Sequence, residues 1–230
     1  MARSTRRSQL VQLAVPLLVA AGLLAGCGKD VVDGFPLSVG FQPLEPLVAG
    51  AACPAASGNE LHPQGLGVVA TGPQNGHFSS HACGYLQAPL LKVYQALHDP
   101  AASYIHNDGG GTRTDGPPVV GVEPFPVSFR VRYVNSAFGV DVKYDVTYRA
   151  GPLEGTEAAP TTIGERYQKT WGVGHIDVLE GSLVATEVAP GVTAVEMVAW
   201  LKATTQYQSD CNGTVVDLFG NLEAKLASMP

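Results

Sequence analysis

The residues best suited to bind a metal ion lie on a stretch that alternates like a β-strand. His77, His81 and Cys83 occupy alternate positions of GHFSSHACGYLQA. Successive side chains of a strand point to opposite faces, so these three share one face. Imidazole and thiolate groups are suitable zinc ligands. The spacing is loose, however, and a cysteine in an oxidising compartment is better suited to a disulfide. We therefore predict a disulfide or a solvated face here, with no metal and no cofactor.

Recognisable catalytic motifs are absent from the sequence. It contains no Gly-x-Ser-x-Gly, His-Glu-x-x-His, Walker loop or Cys-x-x-Cys. Glu180 and Glu196 interrupt apolar stretches and could act as acid or base if buried. Exposure on the outer face of a sheet explains them more simply. The adjacent pair His98 and Asp99 stands at a predicted helix end and is interpreted as structural. We predict no catalytic residue.

The N-terminus has the three zones of an export signal. Three arginines lie within the first seven residues, and the run from Leu10 to Gly26 is apolar except for Gln12 and closes on small residues. A transmembrane helix needs roughly 20 apolar residues. This run is slightly short, contains Pro16 and lacks a charged stop sequence. A retained membrane anchor is therefore the weaker interpretation.

Leu24-Ala25-Gly26-Cys27, at the end of this run, resembles the lipobox of bacterial lipoproteins. In that family the cysteine thiol is acylated and becomes the new N-terminus. The resemblance implies that residues 1–26 are a lipoprotein signal peptide and that Cys27 carries the lipid, with ordinary secretion or a retained anchor as alternatives. Gly28 follows the cysteine rather than Asp, which in the best-known sorting pattern implies the outer membrane. We expect a lipid-anchored protein of the bacterial cell envelope, held at the outer membrane and facing the periplasm.

The charge of the mature chain limits its partners. Loss of residues 1–26 removes three arginines and no acid, which leaves 204 residues and lowers the net charge from −6 to −9. An acidic surface argues against binding to nucleic acid, since phosphate binding depends on clustered Lys and Arg. It also argues against peripheral adhesion to anionic lipid, so a covalent lipid is the expected attachment to the membrane.

Residues 27–75 are predicted to form a tether. They are dense in Pro, Gly and Ala and show no sustained period of two or 3.6. Such a segment would hold a folded part off the membrane. Phe35 and Phe41 are nevertheless too apolar for a purely solvated linker. We expect part of the tether to pack on the domain or on another protein.

Residues 76–230 are predicted to form an α+β domain. APLLKVYQALHDP has the pattern of a short amphipathic helix, with Leu90, Val93, Tyr94 and Leu97 on one side. VSFRVRYV and VDVKYDVTYR alternate with period two, and NSAFG between them predicts an antiparallel hairpin. Further strands are predicted at IGERYQKTWG, HIDVLEGSLVATEV and VTAVEMVAWLKATTQ. TVVDLFGNLEAKLAS predicts a final helix, with Thr214 as N-cap and Asp217 completing a capping box.

This order of elements resembles the helix-grip fold of the SRPBCC superfamily, which includes START-like lipid-transfer domains, polyketide cyclases and the birch-pollen-allergen proteins. The resemblance lies in LQAPLLKVYQALHDPAAS, an Ala-Pro followed by a short helix ending in Leu-x-Asp-Pro, and in the final helix. It implies a curved antiparallel sheet of about six or seven strands wrapped round a long C-terminal helix, with an apolar cavity between them. Side chains of this kind on the buried face of a strand are usually plain core, but periodicity supplies six as candidate cavity residues: Tyr133, Tyr144, Tyr148, Trp171, Met197 and Phe219.

The resemblance also bears on the disulfide. In the helix-grip arrangement the first predicted strand, with Cys83, pairs with the last strand, which Cys211 follows. Register decides whether they can join, because Cα atoms more than about 7 Å apart cannot be bridged. Cys53 precedes the domain and has no such limit. We favour Cys53–Cys211, and leave Cys83–Cys211, Cys53–Cys83 and the absence of a disulfide as alternatives.

Three classes of function remain. The first and preferred class is a lipid-anchored module that binds a hydrophobic small molecule or lipid. The second is an enzyme of the cyclase or hydrolase kind. The third is an envelope interaction protein whose interior is filled and whose tether or sheet edge meets a partner. A cavity of roughly 300 Å³ or more would separate the first two classes from the third. A buried carboxylate or histidine within it would separate the second from the first.

Overall fold

A computed structural model describes eight stretches of the chain: residues 31–33, 53–74, 76–105, 112–116, 125–137, 140–173, 175–204 and 207–230. The predicted signal peptide and Cys27 lie outside the described residues. Among the helices of these stretches, none is both long and apolar enough to span a bilayer.

The described strands form one antiparallel sheet of nine strands. They are β1 (Val31–Asp33), β2 (Gly65–Gln74), β3 (His77–Leu86), β4 (Thr112–Asp115), β5 (Val127–Ala137), β6 (Val140–Thr156), β7 (Ala159–Val173), β8 (Ile176–Ala189) and β9 (Val192–Ala203). Their order across the sheet is β2-β3-β9-β8-β7-β6-β5-β4, and β1 pairs with β7 off this path. The predicted β5–β6 hairpin is confirmed, as is the pairing of β3 with β9. The count exceeds the predicted six or seven because β1, β2 and β4 lie in stretches without a sustained period.

Strand β2 lies inside the segment that the sequence analysis assigns to a tether. It pairs with β3 over most of its length, with Val69 opposite His81. The ring of His62, which precedes β2, packs edge-on against Tyr85 at the end of β3, with the ring centroids 4.8 Å apart. The sheet therefore begins before residue 76.

The described residues also contain three helical segments. They are α1 (Leu90–Ala96), a 3-10 helix (Pro100–Ser103) and α2 (Gln208–Ser228). Helix α1 buries Leu90, Val93 and Tyr94 on one side, as its pattern predicts, and Leu97, directly after the helix, is buried with them. The final helix begins earlier than predicted. Asp210 accepts a 2.8 Å hydrogen bond from the backbone N–H of Tyr207, which satisfies a donor at the helix start. Thr214 lies inside the helix, where its hydroxyl donates to the carbonyl of Asp210.

Helix α2 packs on one face of the sheet, which we call the inner face, against β2, β3 and β9. Gly84 of β3 makes this approach possible, because a Cβ at that position would lie 2.6 Å from the ring of Phe219. Helix α1 covers β7, β8 and β9 on the same side. The apolar side chains between these layers form a single core. Full burial of each large one stabilises the fold by about 1.5–3 kcal/mol. The opposite face of the sheet is called the outer face.

Candidate functional site

Aromatic side chains form a continuous row on the inner face, from β5 to β7. The ring of Tyr133 stacks on Tyr144 with centroids 5.2 Å apart, and Phe129 stacks on Tyr148 at 4.9 Å. Both are directly opposed pairs of the β5–β6 ladder, so strand register alone brings the rings together. Tyr167 of β7 extends the row, with its centroid 5.9 Å from that of Tyr148.

The hydroxyl groups of this row are hydrogen-bonded inside the core. The backbone N–H of Ile105 donates to the hydroxyl oxygen of Tyr133 at 3.2 Å, and the hydroxyls of Tyr133 and Tyr148 are 2.8 Å apart. Burial raises the pKa of Tyr133 to about 12 and also raises the pKa of Tyr148 and Tyr167. All three phenols are therefore neutral at physiological pH, and they act as hydrogen-bonding groups rather than bases.

Glu165 of β7 places a carboxyl group on this same inner face. It is fully buried, and the hydroxyl of Ser103 in the 3-10 helix donates to its Oε2 at 2.6 Å. Its Oε1 has no hydrogen-bond partner among the described residues. Desolvation raises the pKa of Glu165 to about 7, and the bond from Ser103 opposes that shift. Near neutral pH this carboxyl can donate or accept a proton, or hold a polar group of a bound molecule.

Glu165 is not among the residues predicted from the sequence, although the local sequence pattern around it contains a signal. In IGERYQKTWG, the alternation places Ile163, Glu165 and Tyr167 on one face. A glutamate on an otherwise apolar face is the kind of residue that becomes a buried carboxyl. Its partner Ser103 could not be found this way, because a 3-10 helix 62 residues away in sequence supplies it.

Five of the six predicted cavity residues lie in the interior. Tyr133, Tyr144, Tyr148, Met197 and Phe219 all belong to the core. Trp171 does not join them. A bulge in the β6–β7 ladder shifts the register between Asp145 and Val146, so that Trp171 faces Asp145 on the outer side. There the guanidinium of Arg132 lies over its ring, 4.5 Å from the centroid. The assignment of Trp171 to the cavity is therefore corrected, since periodicity cannot reveal an inserted residue.

A pocket with a volume of about 190 Å³ lies where the end of β3 meets α1 and the C-terminal end of α2. Leu86, Ala88 and Leu226 supply apolar lining, and polar groups bridge its rim. Gln64 donates to Glu223 at 2.9 Å, and Lys92 donates to the carbonyl of Met229 at 3.3 Å. None of the six predicted cavity residues lines this pocket. Its volume is below the roughly 300 Å³ typical of sites for small molecules.

The disulfide joins Cys53 to Cys83, with Cα atoms 4.4 Å apart. The favoured pairing of Cys53 with Cys211 is therefore wrong. Cys211 is a buried thiol within α2, outside the disulfide, and its sulfur contacts the carbonyl of Ala199 at 3.4 Å. Cys83 is one residue from Gly84, which faces α2, so the Cys83 side chain points to the outer face, away from Cys211. The disulfide also removes Cys83 from any metal site with His77 and His81.

None of the remaining acidic candidates, Glu180, Glu196 and Asp99, is buried in the core. Glu196 is exposed on the outer face, and Glu180 lies on that face with its carboxylate 3.7 Å from a guanidinium nitrogen of Arg166. Asp99 accepts a bond from the backbone N–H of Ala101 at 2.9 Å, and so caps the 3-10 helix. It also accepts one from Lys225 of α2 at 2.6 Å. That hydrogen bond from Lys225 is the main cause that lowers the pKa of Asp99.

Comparisons with known proteins concern the fold. No model of a known protein family matches the chain, and no curated protein matches it in sequence. Among solved structures, TTHA0849 from Thermus thermophilus is 19% identical over 66% of this chain and 99% of its own, with a TM-score of 0.44. The human StarD13 lipid transfer and protein localization domain is 9% identical over 73% and 87%, with a TM-score of 0.49. The Zhui aromatase/cyclase from Streptomyces is 10% identical over 66% and 94%, with a TM-score of 0.46. The antiparallel sheet packed against the long C-terminal helix has the helix-grip arrangement.

Proposed function

We propose that this chain is a lipid-anchored envelope protein whose helix-grip domain binds a hydrophobic small molecule or lipid between the sheet and α2. The supporting observation is Glu165, whose Oε1 is buried without a partner among the described residues. Nearly all buried polar atoms in proteins have a partner, so each exception requires an explanation. A polar group on a bound molecule would provide that partner, while the apolar and phenolic side chains of the inner face would contact the rest of the ligand.

Binding of this kind requires the interior to open. Tyr133, Tyr148 and Met197 are fully buried and fill the space beneath the helices. The 190 Å³ pocket beside the C-terminal end of α2 is too small for a lipid. A ligand would therefore have to displace part of α2 from the sheet as it enters.

Two measurements test the ligand. Native mass spectrometry of protein purified from its own host should show a bound lipid or metabolite, and an apolar fluorescent dye should bind the unacylated domain with saturation. Tyr148→Trp and Met197→Trp should weaken dye binding, because each adds volume to the interior. Trp171→Phe, on the outer face, is the control and should leave it unchanged. Absence of both a bound molecule and saturable dye binding would contradict the proposal.

The anchoring part of the proposal rests on Leu24-Ala25-Gly26-Cys27 and is tested separately. Cys27→Ala should release the protein from membranes or leave an uncleaved precursor. Intact-mass measurement of the membrane fraction should show a chain that begins at Cys27 and carries acyl groups. A chain that retains Met1 and an unmodified Cys27 would contradict acylation without affecting ligand binding.

The second candidate, an envelope interaction protein with a filled core, is favoured by one specific observation. The predicted cavity residues of the inner face pack against one another, and the pocket described above lies apart from them. In that case the buried Oε1 of Glu165 would be satisfied by water alone. The dye experiment distinguishes the two candidates, since a filled core gives no saturable binding.

A further inference from the structure

The pocket beside the C-terminal end of α2 lies apart from the predicted cavity residues and has the size of a small metabolite. Its volume is about 190 Å³. A water molecule occupies about 30 Å³ of the liquid, so the pocket corresponds to about six waters. This is too little for a lipid, but enough for a molecule of fewer than about ten non-hydrogen atoms. The question is which chemistry its lining would recognise.

The apolar part of the lining belongs to well-packed segments of the fold. Leu86 at the end of β3, Ala88 before α1 and Leu226 of α2 all line the pocket and are at most 8% exposed. The hydroxyl of Thr193 in β9 donates to the carbonyl of Ala88 at 2.8 Å, which holds the β3–α1 connection against the sheet. A short apolar group placed against these side chains would be removed from water.

Two side chains of opposite charge border the same pocket. Glu223 of α2 accepts a 2.9 Å hydrogen bond from Gln64 at Oε1, so its Oε2 remains as a charged acceptor. Lys92 of α1 donates to the carbonyl of Met229 at 3.3 Å, and an ammonium group has two further donors. Among the described residues each charge is thus held by a neutral group, and the two do not pair with each other.

This arrangement favours a ligand that carries both charges. A cation alone would leave Lys92 without a counter-charge, an anion alone would leave Glu223 without one, and an uncharged molecule would leave both unmatched. Helix α2 ends at Ser228, five residues after Glu223, and the last carbonyl groups of a helix carry partial negative charge. The positive group of a ligand is therefore favoured on the α2 side of the pocket, and its negative group beside Lys92 of α1.

We propose that this pocket binds a small zwitterion with a short apolar side chain, such as an aliphatic amino acid. The carboxylate of the ligand binds the ammonium group of Lys92, and its own ammonium group binds Oε2 of Glu223. The apolar side chain of the ligand contacts Leu86 and Leu226. This site is separate from the interior, and the inference does not rest on the function proposed above.

Calorimetric titration of the intact mature chain with L-leucine and two analogues tests the ligand class. L-Leucine should bind one site saturably, with a dissociation constant of about 1 mM or lower. 4-Methylpentanoate lacks the ammonium group and 3-methylbutylamine lacks the carboxylate. Each should bind at least about tenfold more weakly, because each loses a charge-assisted hydrogen bond. No saturation by L-leucine at about 10 mM, or equal binding of all three compounds, would overturn the proposal.

Variants of the two charged residues test which group of the ligand each one binds. Glu223→Gln keeps an acceptor for Gln64 and should weaken L-leucine at least about tenfold, while 4-methylpentanoate binding stays unchanged. Lys92→Met should likewise weaken L-leucine but not 3-methylbutylamine. Glu196→Gln makes the same change as Glu223→Gln at an exposed position of the outer face, and should affect neither.

The outcomes of these variants decide the assignment. Unchanged L-leucine binding in Glu223→Gln or in Lys92→Met would overturn it. If a variant does not fold, as judged by circular dichroism, the comparison of the three compounds on the parent chain decides. Lys92 and Glu223 lie outside the apolar core. Failure of this proposal therefore leaves the dye test of the interior unaffected, and failure of the dye test leaves this one unaffected.

Discussion

Around β6 and β7 both faces of the sheet are buried, the inner face among apolar side chains and the outer face among polar side chains that pair with one another. The inner face carries Tyr148, Ile163 and Tyr167 in an apolar core. The outer face of the same strands buries Asp145 and Thr147. Polar burial is possible there because the groups pair: Arg132 binds both oxygens of Asp145, at 2.7 and 2.9 Å, and Thr147 lies 2.8 Å from the hydroxyl of Thr170. The comparison shows that alternation of polar and apolar residues identifies the two faces but does not reveal whether the polar face is exposed to water.

The largest effect is expected on the inner face. Tyr148→Ala should lower the free energy of unfolding by about 4 kcal/mol, because it leaves a cavity among Phe129, Tyr133 and Tyr167. Tyr148→Phe is the matched control and should cost only about 1 kcal/mol, the value of the lost hydroxyl contact with Tyr133. Urea denaturation measures both. Equal losses would mean that the hydrogen bond, and not the packing, dominates this face.

Glu165 is the polar exception on the inner face and should make stability depend on pH. Because burial raises its pKa to about 7, the folded state holds a proton that the unfolded state releases near pH 4.5. The free energy of unfolding should therefore fall as the pH rises from about 4.5 to about 7, by at most about 3 kcal/mol from this group, and then level off. Glu165→Gln should remove that fall. If the free energy of unfolding changed by the same amount between pH 5 and pH 8 in the parent protein and in Glu165→Gln, that result would contradict the assignment.

The outer face should respond to loss of a charge rather than of volume. Asp145→Asn keeps the size of the side chain but removes the carboxylate that Arg132 binds, and should cost about 2 kcal/mol. Glu196→Gln on the same face is the control and should cost less than about 0.5 kcal/mol, since Glu196 is exposed. Thermal or urea unfolding distinguishes them. A similar small loss in both would indicate that the outer face is wetter than its burial suggests.

The smallest effect concerns the contact that fixes α2 at the edge of the core. Asp99→Ala removes the cap of the 3-10 helix and the bond from Lys225, and should cost about 1 kcal/mol. Lys225→Met should cost less, because it keeps the cap. The difference in free energy of unfolding between the parent protein and Asp99→Ala should become smaller as the pH falls, because protonation of Asp99 breaks the same bonds in the parent protein. The lowered pKa of Asp99 places this change in the acid range. Hydrogen exchange at the C-terminal end of α2 would show whether the helix end loosens.

The sequence was sufficient for elements whose pattern is local. The short helix after Pro89, the β5–β6 hairpin and the faces of Tyr133 and Tyr148 all follow from periods of 3.6 and two. Each of these elements depends on neighbouring residues, so a window of ten to fifteen residues contains the necessary information. The helix-grip fold was predicted by resemblance, from the order of the elements and the stretch LQAPLLKVYQALHDPAAS.

The features that were missed depend on distant parts of the chain. The bulge that turns Trp171 outward arises from one residue inserted in a ladder, and the disulfide partner of Cys53 depends on which face of β3 Cys83 occupies. The start of α2 at Gln208 escaped notice because its first turns are polar and include Gly213, a poor helix former. Glu165 gains its candidate role only when Ser103 and the neighbouring strands bury it. Tertiary contacts decide each of these cases.

The pairing of β1 with β7 limits how far the domain could lie from an acylated Cys27. Val31 stands four residues after Cys27, a distance that the chain can extend to about 14 Å at most. If Cys27 is acylated as proposed, the stalk between lipid and sheet is shorter than the domain itself. The end of β7 that pairs with β1 would then stay close to the lipid headgroups. The domain could rotate about that point but could not move further from the membrane than the short linker allows. A partner or ligand would then meet the protein at the membrane surface, with the end of β7 that pairs with β1 turned towards the bilayer.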